Sequence, residues 1–144
     1  SLLANRKLQE QADLTGHPLE HGWLSSPFGR RSDPFTGRLA MHDGVDLAGK
    51  AGADFMTVAA GVVTFAGSRK GYGKLVEVNH GGGYVTRYAH ARDLDVKVGD
   101  IVKKGQTLGK IGSSGRSTGP HVHFEVRLNG KVVNPAHYLN RKHG

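Results

Sequence analysis

From His121 to Leu128 the segment Gly119-Pro120-His121-Val122-His123-Phe124-Glu125-Val126-Arg127-Leu128 alternates polar and apolar residues without a break. Alternation with period two is the mark of a half-buried β-strand. It assigns Val122, Phe124, Val126 and Leu128 to a core, and His121, His123, Glu125 and Arg127 to the opposite face. The two histidines then share a face, roughly 7 Å apart at Cα, and can converge on one ion or one reacting atom.

The rest of the chain offers strands to pair with this one. Residues 58–66, 74–80 and 84–90 read as strands, and 96–112 as short strands broken by glycine. In 84–90 the alternation puts Tyr84, Thr86, Tyr88 and His90 on one face. His80-Gly81-Gly82-Gly83 and Leu128-Asn129-Gly130-Lys131 are hairpin turns, Asp93 to Asp95 is a further turn, and Val132 to Pro135 closes a sheet edge. Residues 113–119 form a polar loop leading into the histidine strand. Glycine makes up 22 of the 144 residues, about twice the usual share of ~7%. No helix-length amphipathic run follows residue 16. The expected architecture is antiparallel all-β, a sandwich or partly open barrel.

Residues 1–16 hold the only helix candidate, with Gly16 as its stop. Its apolar stripe of Leu3, Leu8 and Ala12 is thin. It reads as a linker or the end of an upstream helix, with an inhibitory pro-segment as the sharper alternative. The chain opens on Ser1 with no methionine, which reads as a piece of a longer precursor carrying any targeting or anchoring segment upstream. The expected organisation is a linker over 1–22, one compact domain over 23–139 and a tail over 140–144.

No apolar run is long enough to span a membrane. There is no cysteine, which excludes disulfides and thiolate metal sites, so any metal is held by histidine and carboxylate. The net charge of +8 points to an anionic partner. The lysines and arginines are scattered, and no basic helix, zinc-finger spacing or aromatic RNA-binding strand is present, which argues against nucleic acid. An anionic polymer such as a bacterial cell wall fits the charge.

The residues able to carry chemistry are His42, Asp46, His90, His121 and His123. A hydrolytic zinc site takes three ligands from histidine and carboxylate and keeps a position open for water. Five groups exceed that need, and the surplus imidazoles, with an ordinary pKa near ~6.5, can act as general base and acid. Spacing leaves open which of His121 and His123 is a ligand, or whether both are. His17, His21, His137 and His143 lie in termini or beyond the last strand, and His80 opens a hairpin.

At these residues the chain resembles the M23 family of zinc endopeptidases, the lysostaphin-like or LytM-like peptidoglycan hydrolases. The H-x-x-x-D segment is His42-Asp43-Gly44-Val45-Asp46, the H-x-H segment is His121-Val122-His123, and between them His90 stands in a Tyr88-Ala89-His90 context. Ser26-Pro27-Phe28-Gly29-Arg30, the stretch from Val98 to Gly112, and Asn134-Pro135 agree as well. The resemblance runs from about Trp23 to Leu139. It implies an all-β fold, an antiparallel sandwich or hybrid barrel of the LytM (duplicated hybrid motif) type, with the site on an antiparallel sheet. It implies Zn2+ as cofactor, with His42, Asp46 and His123 as metal ligands and His90 and His121 as catalytic histidines. The implied substrate is the peptide cross-link of bacterial peptidoglycan, in the manner of the Gram-negative D,D-endopeptidase branch. The implied location is periplasmic or extracellular, as a monomer, with a regulatory cell-wall or divisome protein as a possible partner. Glu125, next on the strand's polar face, is a candidate for orienting a ligand histidine.

Two other readings compete. A non-catalytic LytM-like activator of cell-wall amidases would share the fold but lack zinc ligands, whereas all five positions are filled here. The stretch Val96 to Gly112 also resembles lipoyl and biotinyl carrier domains, but no lysine stands in a carrier hairpin, and a carrier does not need H-x-x-x-D.

Overall fold

The computed structural model describes residues 14–32, 36–112 and 119–139. Most of the helix candidate over 1–16, and the loop 113–118 ahead of the histidine strand, lie outside the described residues. The strands are β1 (Trp23–Ser26), β2 (Gly29–Ser32), β3 (Leu39–His42), β4 (Val45–Ala48), β5 (Asp54–Met56), β6 (Gly61–Arg69), β7 (Gly73–Gly81), β8 (Tyr84–Leu94), β9 (Ile101–Val102), β10 (Thr107–Ile111), β11 (His121–Leu128) and β12 (Lys131–Val133), followed by a 3-10 turn at Pro135–His137. One large sheet runs in the order β1-β4-β11-β8-β7-β6-β9, with β10 joined to β5 and β8, and β12 to β11. β2 and β3 form a separate two-stranded ribbon. Every ladder between these strands is antiparallel, as expected of glycine-punctuated hairpins.

β11 sits between β4 and β8 near the middle of the sheet. Its Val122, Phe124 and Val126 are fully buried, against Val45 and Leu47 of β4 and Tyr88 of β8. Tyr88 packs its ring on Phe124 and Phe55, at centroid distances of 5.4 and 6.0 Å. The turn into β12 is Asn129-Gly130, with φ of 52° and 82°. Two left-handed residues in succession match the twist of the flanking strands, which is why Asn-Gly closes hairpins. Leu14 and Leu19, ahead of β1, also lie in the core. Gly16 bridges to Leu139, and Leu19 to Phe55.

Two expectations need correction. The polar face of β11 is not open to water: His123 is 9% exposed and Glu125 only 1%, because the rings of His42, His90 and Tyr72 surround His123 and the guanidiniums of Arg87 and Arg127 meet Glu125. β8 also runs on to Leu94 instead of ending in a turn at Asp93, and it does not keep Tyr84, Thr86, Tyr88 and His90 on one face. Lys74 pairs with Ala91 and Val76 with Tyr88, so Ala89 and His90 together face Leu75 alone. This is a β-bulge, and bulges re-aim the side chain that follows them. His90 sits in it with φ of 65°.

A candidate metal centre on the buried polar face

The register of β11 against its neighbours assembles the site. His123 stands opposite Asp46 on β4 and Ala89 on β8, while His121 stands opposite Ala48. Side chains of paired residues share a face, so His123 and Asp46 meet directly. His42 ends β3 and reaches the same point across the Asp43-Gly44 turn. Gly44 is required there by space. A Cβ at that position would overlap the Phe124 carbonyl oxygen and lie 2.9 Å from Glu125 Cγ and 3.0 Å from His123 Cε1.

Asp46 Oδ1 is 2.9 Å from His123 Nδ1 and 3.5 Å from His42 Nε2. One ligand atom from each of His42, Asp46 and His123 lies within 4.8 Å of the others. The outward nitrogen of each imidazole is engaged. His42 Nδ1 donates to the Pro27 carbonyl at 2.7 Å, and His123 Nε2 is 2.8 Å from Glu125 Oε2. With Nδ1 of His42 carrying its proton, its Nε2 presents a lone pair inward. Two imidazole nitrogens and one carboxylate oxygen, converging with no sulfur, suit a zinc ion in a site that keeps a position open.

His121 and His90 stand beside this triad. Their rings are 5.2 Å apart, and His90 is 6.0 Å from the His123 ring. The structure thus brings all five candidates together, and the bulge in β8 is what puts His90 among them. His121 Nδ1 donates to the Gly119 carbonyl at 3.0 Å, leaving Nε2 with its lone pair. His90 donates its backbone N–H to the Tyr72 carbonyl at 2.9 Å.

The electrostatics follow from this crowding. Burial favours neutral imidazole at His123, but hydrogen bonds and charge from Asp46 and Glu125 outweigh it and push its pKa up to about 9. Burial would raise the Asp46 and Glu125 carboxyls, yet His123 holds both below the usual carboxylate range, with Arg127 adding to the effect at Glu125. The His90 pKa is lowered, first by burial and then by His121 and His123, with Asp46 opposing.

His80 is elsewhere. Its Nδ1 donates to the Ala60 carbonyl and its Nε2 meets the Thr86 hydroxyl, both at 2.7 Å, in a buried polar cluster with Tyr88. The sequence reading missed Tyr72 and Arg87. The Tyr72 ring lies 6.1 Å from His123, and its hydroxyl accepts from Arg87 Nη1 at 3.3 Å and Arg127 Nη2 at 3.5 Å. Tyr72 sits in a Gly71-Tyr72-Gly73 turn, which reads only as a turn. Arg87 is signalled by register alone, opposite Glu125 on one side and Glu77 on the other.

Residues 40–135 match the model of Peptidase family M23. The chain is 42% identical over 130 residues to the DD-carboxypeptidase/endopeptidase Mpg of Neisseria meningitidis, covering 90% of this chain and 30% of that protein. It is 40% identical over 120 residues to the peptidoglycan DD-endopeptidase ShyA of Vibrio cholerae, covering 82% of this chain and 28% of that one. The chain therefore spans less than a third of the length of either relative. A crystal structure of a zinc-containing peptidase from Vibrio cholerae superposes with a TM-score of 0.77 at 33% identity, over 86% of this chain and 39% of that one. With the family match enclosing every candidate residue from His42 to His123, and a relative 42% identical over 90% of this chain, the chain belongs to peptidase family M23.

Proposed function

We propose that this domain is a zinc-dependent endopeptidase that cuts peptide cross-links of bacterial peptidoglycan in the cell envelope, at a D,D bond. The observation that carries this reading is the convergence of His42 Nε2, Asp46 Oδ1 and His123 Nδ1 beside two further imidazoles. A binding domain has no use for the second pair, whereas hydrolysis needs groups that move protons.

His42, Asp46 and His123 would hold the zinc. Bound there, zinc supplies Lewis acidity, polarising the scissile carbonyl and bringing the pKa of water toward ~7. The proton traffic belongs to His121 and His90. His121 Nε2, its tautomer fixed by the Gly119 carbonyl, is available to take a proton from the attacking water. His90, its pKa lowered by burial and its histidine neighbours, stands one ring away to take or return a proton as the amine departs.

Purified peptidoglycan sacculi, digested with the zinc-loaded protein and resolved by mass spectrometry, test the reaction. The expected products are uncrosslinked stem peptides. Unchanged cross-links with stoichiometric zinc would replace this reading with that of a regulatory domain. His121→Ala should keep its zinc and lose turnover by about 10²–10⁴-fold, and His123→Ala should lose zinc. Near-normal hydrolysis by His121→Ala would overturn the assignment of proton transfer to that residue.

A further inference from the structure

The two imidazoles of the metal centre are held differently on their outward sides. His42 rests on a backbone carbonyl, that of Pro27. His123 rests on a carboxylate. Glu125 Oε2 lies 2.8 Å from His123 Nε2, and the side chain is 1% exposed. An ionised carboxylate in such a place needs partners for its other oxygen. Oε1 has them: Arg127 donates from Nε at 3.1 Å and Nη2 at 2.9 Å, and Arg87 Nη1 stands 3.9 Å away. Arg87 is in turn held by Glu77 Oε2 at 2.8 Å, and Thr64 donates to Glu77 Oε1 at 2.9 Å. Tyr72 ties the two guanidiniums together through its hydroxyl.

Two guanidiniums and two carboxylates form a charge-balanced row across β11, β8 and β7. The row ends on a single imidazole nitrogen. A surface ion-pair cluster would not need that terminus, nor would it need Glu125 buried. We infer that Glu125 is a positioning residue for His123: it keeps that ring's proton on Nε2 and so turns Nδ1 to the metal, while Arg127 and Arg87 keep the carboxylate aimed. The inference rests on His42, Asp46 and His123 being the ligand set. A carboxylate behind a ligand imidazole fixes its tautomer and makes it a stronger donor, and loss of such a partner typically costs about 10–100-fold in metal affinity. A neutral carbonyl, as behind His42, fixes the tautomer too but polarises the ring less than an anion does. The site would therefore draw its affinity unevenly, more from His123 than from His42.

Long-range nitrogen–proton NMR correlations on the zinc-loaded 15.4 kDa chain read the tautomer without any substitution. His123 should show a metal-bound Nδ1 and a protonated Nε2. Ligation through Nε2 would overturn the inference. Competition with a chromophoric chelator then reads affinity. Glu125→Gln should bind zinc about 10–100-fold more weakly and change the visible spectrum of the cobalt(II)-substituted protein. Arg127→Gln, which leaves Glu125 in place, should give a smaller loss in the same direction. Affinity and cobalt spectrum unchanged in Glu125→Gln would sink the role of Glu125. If Glu125→Gln does not fold, the wild-type tautomer and Arg127→Gln decide. His123→Ala separates the two levels. Zinc retained at full affinity in that variant would overturn the ligand set, whereas zinc lost there but retained in Glu125→Gln would overturn this inference alone.

Discussion

His90 holds a backbone conformation that its residue type disfavours. Apart from the hairpin residue Asn129, it is the one non-glycine with positive φ among the described residues. A left-handed L-residue costs about 1–2 kcal/mol, and such strain persists where the surroundings enforce it. The enforcement is visible: His90 N–H donates to Tyr72 O, and Gly112 N–H donates to His90 O at 3.2 Å. The strained φ carries the ring to the face shared by His121 and His123. Strain and activity are therefore separable by substitution. His90→Gly and His90→Ala should both lose hydrolysis. His90→Gly should nevertheless be the more stable of the two by about 1 kcal/mol, since only the alanine keeps a Cβ in the left-handed region. Denaturant unfolding of the pair checks this, and an alanine variant at least as stable as the glycine variant would show that the bulge carries no strain.

At the scale of elements, legibility in the sequence depends on whether a side chain or the backbone makes the decision. β11 is legible because nothing interrupts its alternation, and the Asn129-Gly130 turn because its chemistry is local. The bulge in β8 is not legible. Neither Ala89 nor His90 marks it, so strict alternation sends His90 to the core with Tyr88. That His121 and His123 share a face follows from period two. Which of them stands against Asp46 is settled by the register of β11 on β4, a long-range pairing that composition does not encode. Leu14 and Leu19 are lone leucines without periodicity, and their burial follows only from where the chain enters the domain. His80, at the end of β7, is a structural group by its contacts: both ring nitrogens are bonded, to Ala60 and Thr86. Burial lowers its pKa, with the Ala60 carbonyl opposing in part. A folded-state pKa below the unfolded value means that the unfolded chain binds the extra proton. The stability His80 contributes is present above its unfolded pKa of about 6.5 and is lost as pH falls through the folded value. His80→Gln should thus be less stable than the parent by about 1–3 kcal/mol near neutral pH, and the gap should narrow as the solution is acidified. Urea unfolding of both proteins from about pH 7.5 to about pH 5 measures the gap. A gap that stays constant over that range would show that His80 titrates normally in the fold.

For the molecule as a whole, the question is whether the metal holds the fold or the fold holds the metal site. Small metal-dependent domains lack a core and unfold when the ion is removed. Here β4 and β11, which carry the proposed ligands Asp46 and His123, are secured without it. β4 and β11 pair along four residues, β11 and β8 along six, and behind them Val45, Leu47, Tyr88, Val122, Phe124 and Val126 are fully buried. At roughly 1.5–3 kcal/mol for each large apolar side chain removed from water, this inner face gives the strands a core that does not involve the ion. The carboxylates near the ligands also have partners of their own, since Glu125 is held by Arg127 and Glu77 by Arg87. Chelation should therefore abolish hydrolysis while leaving the strand signal in far-ultraviolet circular dichroism intact. The ion still adds stability by mass action. Free zinc about 100-fold above its dissociation constant contributes about 2.7 kcal/mol, which for a domain of this size raises the thermal midpoint by about 10 °C. Restoring zinc should recover both the midpoint and the activity. If chelation instead collapsed the strand signal at 25 °C, the ladders of β4, β11 and β8 would depend on the ion, and the metal centre would have to be counted as part of the core.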